Sequence, residues 1–199
     1  MINPTHARRC RYAMVGILGF VAASNASLAQ TAIVDVVTHI EDGDTLCVGS
    51  MKVRLEGIDT PEIQDDCRRR HGRWKCGPQA SAALHDMVAN RTVTCVPMYC
   101  DPRGRTVAVC RLDGADIGEA MVRAGWAVDW PYYSDGRYAA ALEDARKGER
   151  GIWADGGGPT SRIRDRMLQP GSRPKRGPWP PCPTLCNAPP ASLQQKFAQ

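Results

Sequence analysis

The chain has 199 residues, 43% of them hydrophobic, with 26 Lys and Arg against 21 Asp and Glu for a formal charge of +5. That length suits one ordinary domain with extensions. No stretch after the first 29 residues is long and apolar enough to span a bilayer, so a polytopic membrane protein is excluded and the mature chain is expected to be soluble.

Residues 1–29 read as an export leader. Arg8, Arg9 and Arg11 precede an apolar run over 13–23, and Ser27-Leu28-Ala29 supplies a small-x-small cleavage pattern. The apolar run is shorter than the roughly 20 residues of a spanning helix. Export, whether to a periplasm or to the medium, changes the meaning of the cysteines. Cys10 leaves with the leader, and Cys47, Cys67, Cys76, Cys95, Cys100, Cys110, Cys182 and Cys186 remain. An even count in an exported chain reads as a disulfide framework. Zinc is disfavoured, because Cys182 and Cys186 have neither a nearby histidine nor a second Cys pair.

Residues 31–40 are strongly β-branched and read as a first strand leading into an acidic turn, Asp42-Gly43-Asp44. Thr45–Val48 reads as a short strand, Gly49-Ser50 as a hairpin turn, and 51–58 as a strand alternating Val53 and Leu55 with Lys52, Arg54 and Glu56. It ends in Asp59-Thr60-Pro61-Glu62. Such a hairpin would bring Asp44 and Asp59 together, and adjacent carboxylates repel unless a cation or a shared proton lies between them. Hard oxygen donors suit calcium or magnesium rather than zinc. Arg54 beside them points to an anionic substrate, since its fork matches two phosphate oxygens.

Residues 63–75 read as a basic loop carrying Arg68, Arg69, Arg70, His71, Arg73 and Lys75, bracketed by Cys67 and Cys76. A disulfide between those two would stabilise by about 2–3 kcal/mol. A helix is expected over 77–90, with Pro78 at its first position and Leu84, Met87 and Val88 on one face. Residues 92–99 and 105–112 read as a hairpin whose turn sets Cys95 opposite Cys110, with Pro97 expected to bulge the strand. Asp116-Ile117-Gly118-Glu119 resembles a capping box opening a second helix, a third covers 138–147, and Trp153 reads as core. Cys67–Cys76 and Cys95–Cys110 are the first choices for disulfides, which leaves Cys47–Cys100 and Cys182–Cys186 by elimination.

Residues 156–199 hold seven Lys and Arg and one Asp, against sixteen basic and twenty acidic residues in 30–155. This basic, Pro- and Gly-rich tail reads as mostly disordered, either merely solvated or loosely tethering a polyanion. Five strands with an interposed helix and two more after them predict an α+β domain over 30–155: a five-stranded Greek-key β-barrel of the oligonucleotide-binding (OB) type with about three α-helices.

Four segments in order, DGDT at 42–45, VRLEGIDTPE at 53–62, CGPQAS at 76–81 and D-x-x-G-R at 101–105, together with AMVRAGWA at 120–127, resemble the thermonucleases, the staphylococcal-type nucleases. The resemblance spans residues 35–153. It implies an OB barrel with a calcium site in which Asp44 and Asp59 give carboxylates and Thr60 its carbonyl. Glu62 would serve as general base or water-orienting group, and Arg54 and Arg105 would grip the phosphate. Arg103 in the turn and Tyr133 would contact substrate. Pro102-Arg103 and Trp130-Pro131 depart from the family's usual residues there.

These observations lead to the expectation of an exported, calcium-dependent monomeric nuclease acting on DNA and RNA without sequence preference. Water would be its nucleophile and 3′-phosphate ends its product. The alternatives are a non-catalytic nucleic-acid-binding module on the same fold and an exported adaptor that works through its Pro-rich tail.

Overall fold

The structure, a computed structural model, describes residues 31–168, Cys182 and Cys186. The expected leader at 1–29 and most of the tail lie outside these residues. Strand β1 (Ile33–Ile40) runs into the Asp42-Gly43-Asp44 turn and returns as β2 (Thr45–Val48), which turns at Gly49-Ser50 into β3 (Met51–Leu55). The β3 strand is shorter than expected. Gly57 sits at φ 79°, in the left-handed region that suits glycine, and breaks the strand before β4 (Ile58–Asp59).

The expected loop after Glu62 is a second correction, being a small hairpin of β5 (Asp66–Arg69) and β6 (Gly72–Lys75). Its charge-dense sequence carries no apolar alternation to announce strands. It is held instead by the Cys67–Cys76 disulfide, a Lys75–Asp66 ion pair at 3.0 Å and the Arg69 guanidinium 3.9 Å over the Trp74 ring.

Helix α1 (Cys76–Val88) buries Ala80, Leu84 and Val88. Strands β7 (Thr92–Cys100) and β8 (Thr106–Leu112) pair with Cys95 opposite Cys110, and the register slips between Pro97 and Tyr99. Those two cysteines are bonded. Strand β9 (Ala115–Asp116) leads into α2 (Ile117–Arg123), whose N-cap Asp116 accepts a hydrogen bond from the Glu119 amide at 3.1 Å. Strand β10 (Val128–Asp129) pairs with β4, followed by α3 (Pro131–Ser134) and α4 (Ala139–Lys147).

The strand order β3-β2-β1-β7-β8, closed by parallel pairing of β3 with β8, makes a five-stranded mixed barrel of the OB type. Its interior is filled by Val37, Leu46, Val53, Leu55, Ile58, Leu84, Ile117 and Met121, all at 2% exposure or less. Buried apolar area of this kind is the main stabilising term of the fold.

Residue 155 is not the end of the folded body. After a 3-10 segment, Gly151–Gly156, the chain forms α5 (Ser161–Met167), capped by Thr160. Ile163 is fully buried in a second, smaller core with Cys67, Cys76, Val128 and Ile152, beside Trp74, Trp126 and Trp153. The disulfides left to elimination are also corrected: Cys47 joins Cys186 and Cys100 joins Cys182. These bonds tie positions far beyond α5 back to β2 and β7, a pairing that spacing in the sequence does not encode. Among the described residues, no helix is long and apolar enough to cross a membrane.

Candidate active site

Barrel register assembles the site. Antiparallel pairing sets Arg54 opposite Thr45, and the Leu55 amide donates to the Asp44 carbonyl at 2.8 Å. Arg54 therefore lies across from the acidic turn. The Gly57 break and the β4–β10 pair then turn Asp59 back toward it. The Arg54 guanidinium bridges both acids, with Nη1 2.5 Å from Asp44 Oδ1 and Nη2 3.3 Å from Asp59 Oδ1. Asp44, Asp59 and Thr60 are each buried.

Arg105, just before β8, reaches the same cluster. Its Nε and Nη2 each lie 2.7 Å from Asp101 Oδ2, and its Nη1 donates to Thr45 Oγ1 at 3.2 Å. Thr45 Oγ1 in turn donates to Asp44 Oδ1 at 2.9 Å. Arg54 and Arg105 are thus joined through Asp44 and Thr45 by three hydrogen bonds. Arg105 opens on a cleft lined also by Glu41, Asp42, Lys52, Glu62, Gln64 and Arg103, and Arg54 is not among its lining residues. Glu62 presents a side chain 41% exposed there, its amide donating to Asp65 Oδ2 at 3.0 Å.

Two glycines make this approach possible. A Cβ on Gly77 would stand 1.8 Å from the Glu62 carbonyl oxygen, so only glycine lets α1 start beneath the Glu62 backbone. A Cβ on Gly43 would press on Thr60 and Ala80 at 3.0 Å. Glycine in DGDT and in CGPQAS is therefore a packing requirement of the site.

Tyr133 lies at the edge of the site, stacked on Tyr99 with centroids 6.0 Å apart and edge-on to Trp130 at 4.6 Å. Arg103 lines the cleft, and its amide donates to Asp101 Oδ1.

Sequence reasoning missed the arginines of α5. Arg162 Nη1 lies 3.1 Å from Asp59 Oδ2, while its Nη2 donates to the Thr60 carbonyl and to Asp65 Oδ2, each at 3.0 Å. Arg166 Nη1 lies 2.5 Å from Asp59 Oδ1, and its guanidinium sits 4.6 Å from the Trp130 ring centroid. A signal was present: Arg162/Arg166 and Ile163/Met167 are i,i+4 pairs behind a Thr160 cap.

The electrostatics follow from burial. Desolvation, then the Asp44 charge, raises Asp59, opposed by Arg162, Arg166 and Arg54. Burial and the neighbouring Asp44 push Asp42 up to about 7. Burial would lower the Arg54 pKa, but Asp44, Asp59, Asp42 and Glu62 more than offset it and raise it.

The donor set fits a hard cation: two carboxylates and a main-chain carbonyl, all oxygen. Among the described residues, no group of three or more His, Cys, Asp or Glu side chains is arranged to hold a metal. The Asp59 and Thr60 oxygens already accept from arginines.

A family model described as "Staphylococcal nuclease homologue" matches residues 52–155, just over half of the chain. The chain belongs to the staphylococcal nuclease homologue family. It is 34% identical over 115 residues to the succinoglycan biosynthesis protein ExoI of Rhizobium meliloti, covering 56% of this chain and 60% of that one. It is 30% identical over 126 residues to the probable endonuclease LCL3 of Schizophyllum commune, covering 54% and 41%. A third relative, the probable staphylococcal-like nuclease CAN1 of Oryza sativa, is 28% identical over 113 residues, covering 56% and 31%. The chain thus spans less than two thirds of the length of each of these relatives.

Proposed function

We propose that this protein is an exported, calcium-dependent nuclease that hydrolyses phosphodiester bonds of DNA and RNA without sequence preference, acting as a monomer and leaving 3′-phosphate ends. One observation carries the reading: Arg105 and Glu62 line one cleft, and Arg54 is joined to Arg105 through the buried Asp44 and Thr45, with Asp59 beside it. The four disulfides suit an oxidising compartment. The leader reading of 1–29 supports export.

Asp44, Asp59 and the Thr60 carbonyl would hold the calcium. When bound, the ion supplies positive charge beside the non-bridging phosphate oxygens. The protein's own groups do the rest. Arg54 and Arg105 direct forked N–H groups at those oxygens, which gain charge as water attacks in line. Glu62 orients that water and takes its proton. As the water oxygen bonds to phosphorus, the bond to the 5′ oxygen breaks. The 5′ oxygen leaves as a hydroxyl, taking a proton from solvent, and the phosphate stays on the 3′ side. Tyr133 and Arg103 would hold the flanking base and phosphate.

A second reading, a non-catalytic nucleic-acid-binding module, draws on the arginines of α5: a site whose donors stay filled by Arg162 and Arg166 would grip a polyanion without cutting it. One assay separates the two. Full-length oxidised protein is incubated with plasmid and with single-stranded DNA and RNA, in calcium and in chelator. Cleavage lost in chelator and in Glu62→Gln supports the enzyme. Binding without cleavage in any divalent metal refutes it in favour of the module.

A further inference from the structure

Arg162 and Arg166 stand one helical turn apart on α5, and both end on Asp59. Arg162 also takes the Thr60 carbonyl. These are the oxygens that the preceding reading assigns to a cation. We infer that Arg162 and Arg166 are affinity-setting residues of that cation site: their guanidinium groups compete with a divalent cation for the Asp59 and Thr60 oxygens. The inference rests on the donor assignment made under the proposed function, not on catalysis.

Three features make the competition a built one rather than a chance contact. Ile163, between the two arginines, is fully buried in the second core, so α5 holds its place while the side chains can move. The side chains keep 32% and 29% exposure, so each has a route into solvent or onto an incoming phosphate. Arg166 rests over Trp130, and Arg162 has Asp65 as a further partner, so each guanidinium keeps a contact when it leaves Asp59. Along the chain, α5 precedes Cys182, which is bonded back to Cys100 of β7. Tethering of this kind keeps the local concentration of the two arginines high at the site.

The expected behaviour is weak cation binding in the free protein. A charge this close to a carboxylate, in a partly water-excluded site, changes the affinity for a dication by about tenfold or more. An anionic phosphate that draws the two forks off Asp59 would strengthen cation binding, and the coupling would be reciprocal.

The test is calcium titration by calorimetry on full-length oxidised protein, with no nucleic acid present. Arg162→Gln and Arg166→Gln are compared with Arg164→Gln, an exposed residue of the same helix, and with Asp59→Asn. Circular dichroism and the melting temperature check the fold, and Arg162→Lys serves as a milder change that keeps the charge. Calcium affinity at least about tenfold tighter in Arg162→Gln and Arg166→Gln, unchanged in Arg164→Gln and lost in Asp59→Asn, supports the inference. Unchanged or weaker affinity in both glutamine variants overturns it, and so does an absence of calcium binding in every variant. No step involves cleavage, so a failed nuclease assay leaves this result standing, and the reverse also holds.

Discussion

Replacing Arg54 with Gln probes the electrostatics of the site most directly. The guanidinium lies 2.5 Å from Asp44 and 3.3 Å from Asp59, with side-chain exposures of 15%, 3% and 1% for the three groups. Unit charges about 4 Å apart attract by about 4 kcal/mol at an effective dielectric near 20. Part of this offsets the desolvation of the fork. Removing one partner leaves the other as an uncompensated buried charge, which costs about 3–5 kcal/mol. Asp59 keeps Arg162 and Arg166, so the loss falls mainly on Asp44. The lower end, about 3 kcal/mol, is therefore expected, a drop in Tm of roughly 8–10 °C for a domain of this size. The Asp44→Asn/Arg54→Gln double variant should recover about 2 kcal/mol of the summed single losses. The assays are thermal unfolding for Tm and urea unfolding for the double-variant cycle, on oxidised protein at low salt with chelator. A Tm within about 2 °C of the parent, or no coupling in the cycle, would show that Arg54 is not clamped as described and would refute the reasoning.

Other outcomes are equally specific. Glu62→Gln should leave stability within about 0.5 kcal/mol, because the side chain is 41% exposed, yet lower cleavage about 10²-fold or more, as measured by initial rates on plasmid. Gly77→Ala should cost about 2 kcal/mol or more and also lower cleavage, since its Cβ would meet the Glu62 carbonyl at 1.8 Å; unfolding and rate assays read the two effects. Tyr138 is buried, and burial first, then the Asp116 charge, raises its pKa, with Arg137 opposing. A raised value means that the neutral phenol stabilises the folded state. That stability is fully present below the ordinary tyrosine value and is lost as pH rises through the higher folded value. Urea midpoints should therefore fall above about pH 10, and less steeply in Tyr138→Phe.

Local register was legible in the residues, and long-range closure was not. The hairpin turn at 101–104 and the alternation around it locate Cys95 opposite Cys110, and Pro97 announces the slip beside it. DGDT and the strand holding Arg54 show which side chains meet, because two-residue periodicity and a tight turn suffice to place them. The β5–β6 hairpin was hidden because its strands carry charge on both faces and are held by a disulfide rather than by an apolar face. Helix α5 was hidden by its Pro- and Gly-rich surroundings, although its cap and i,i+4 pairs were present. The bonds Cys47–Cys186 and Cys100–Cys182 span 139 and 82 residues, and only the folded geometry decides such pairings.

The sign of the cleft's charge argues for a further cation when substrate binds. The bonded network holds Asp42, Asp44, Asp59, Glu62, Asp65 and Asp101 against Arg54, Arg105, Arg162 and Arg166. With Glu41, Lys52 and Arg103 of the cleft wall added, seven acids stand against six basic groups, and burial with the neighbouring Asp44 pushes Asp42 up to about 7. An acidic excess repels a polyanion at short range, however well its arginines are aimed. Nucleic-acid binding should therefore be weak in chelator and strengthen on calcium addition, measured by fluorescence anisotropy of a labelled oligonucleotide with Glu62→Gln protein to prevent cutting. Affinity in chelator equal to that in calcium would show that the arginines alone set the sign of the cleft, and that the carboxylates serve only to hold them.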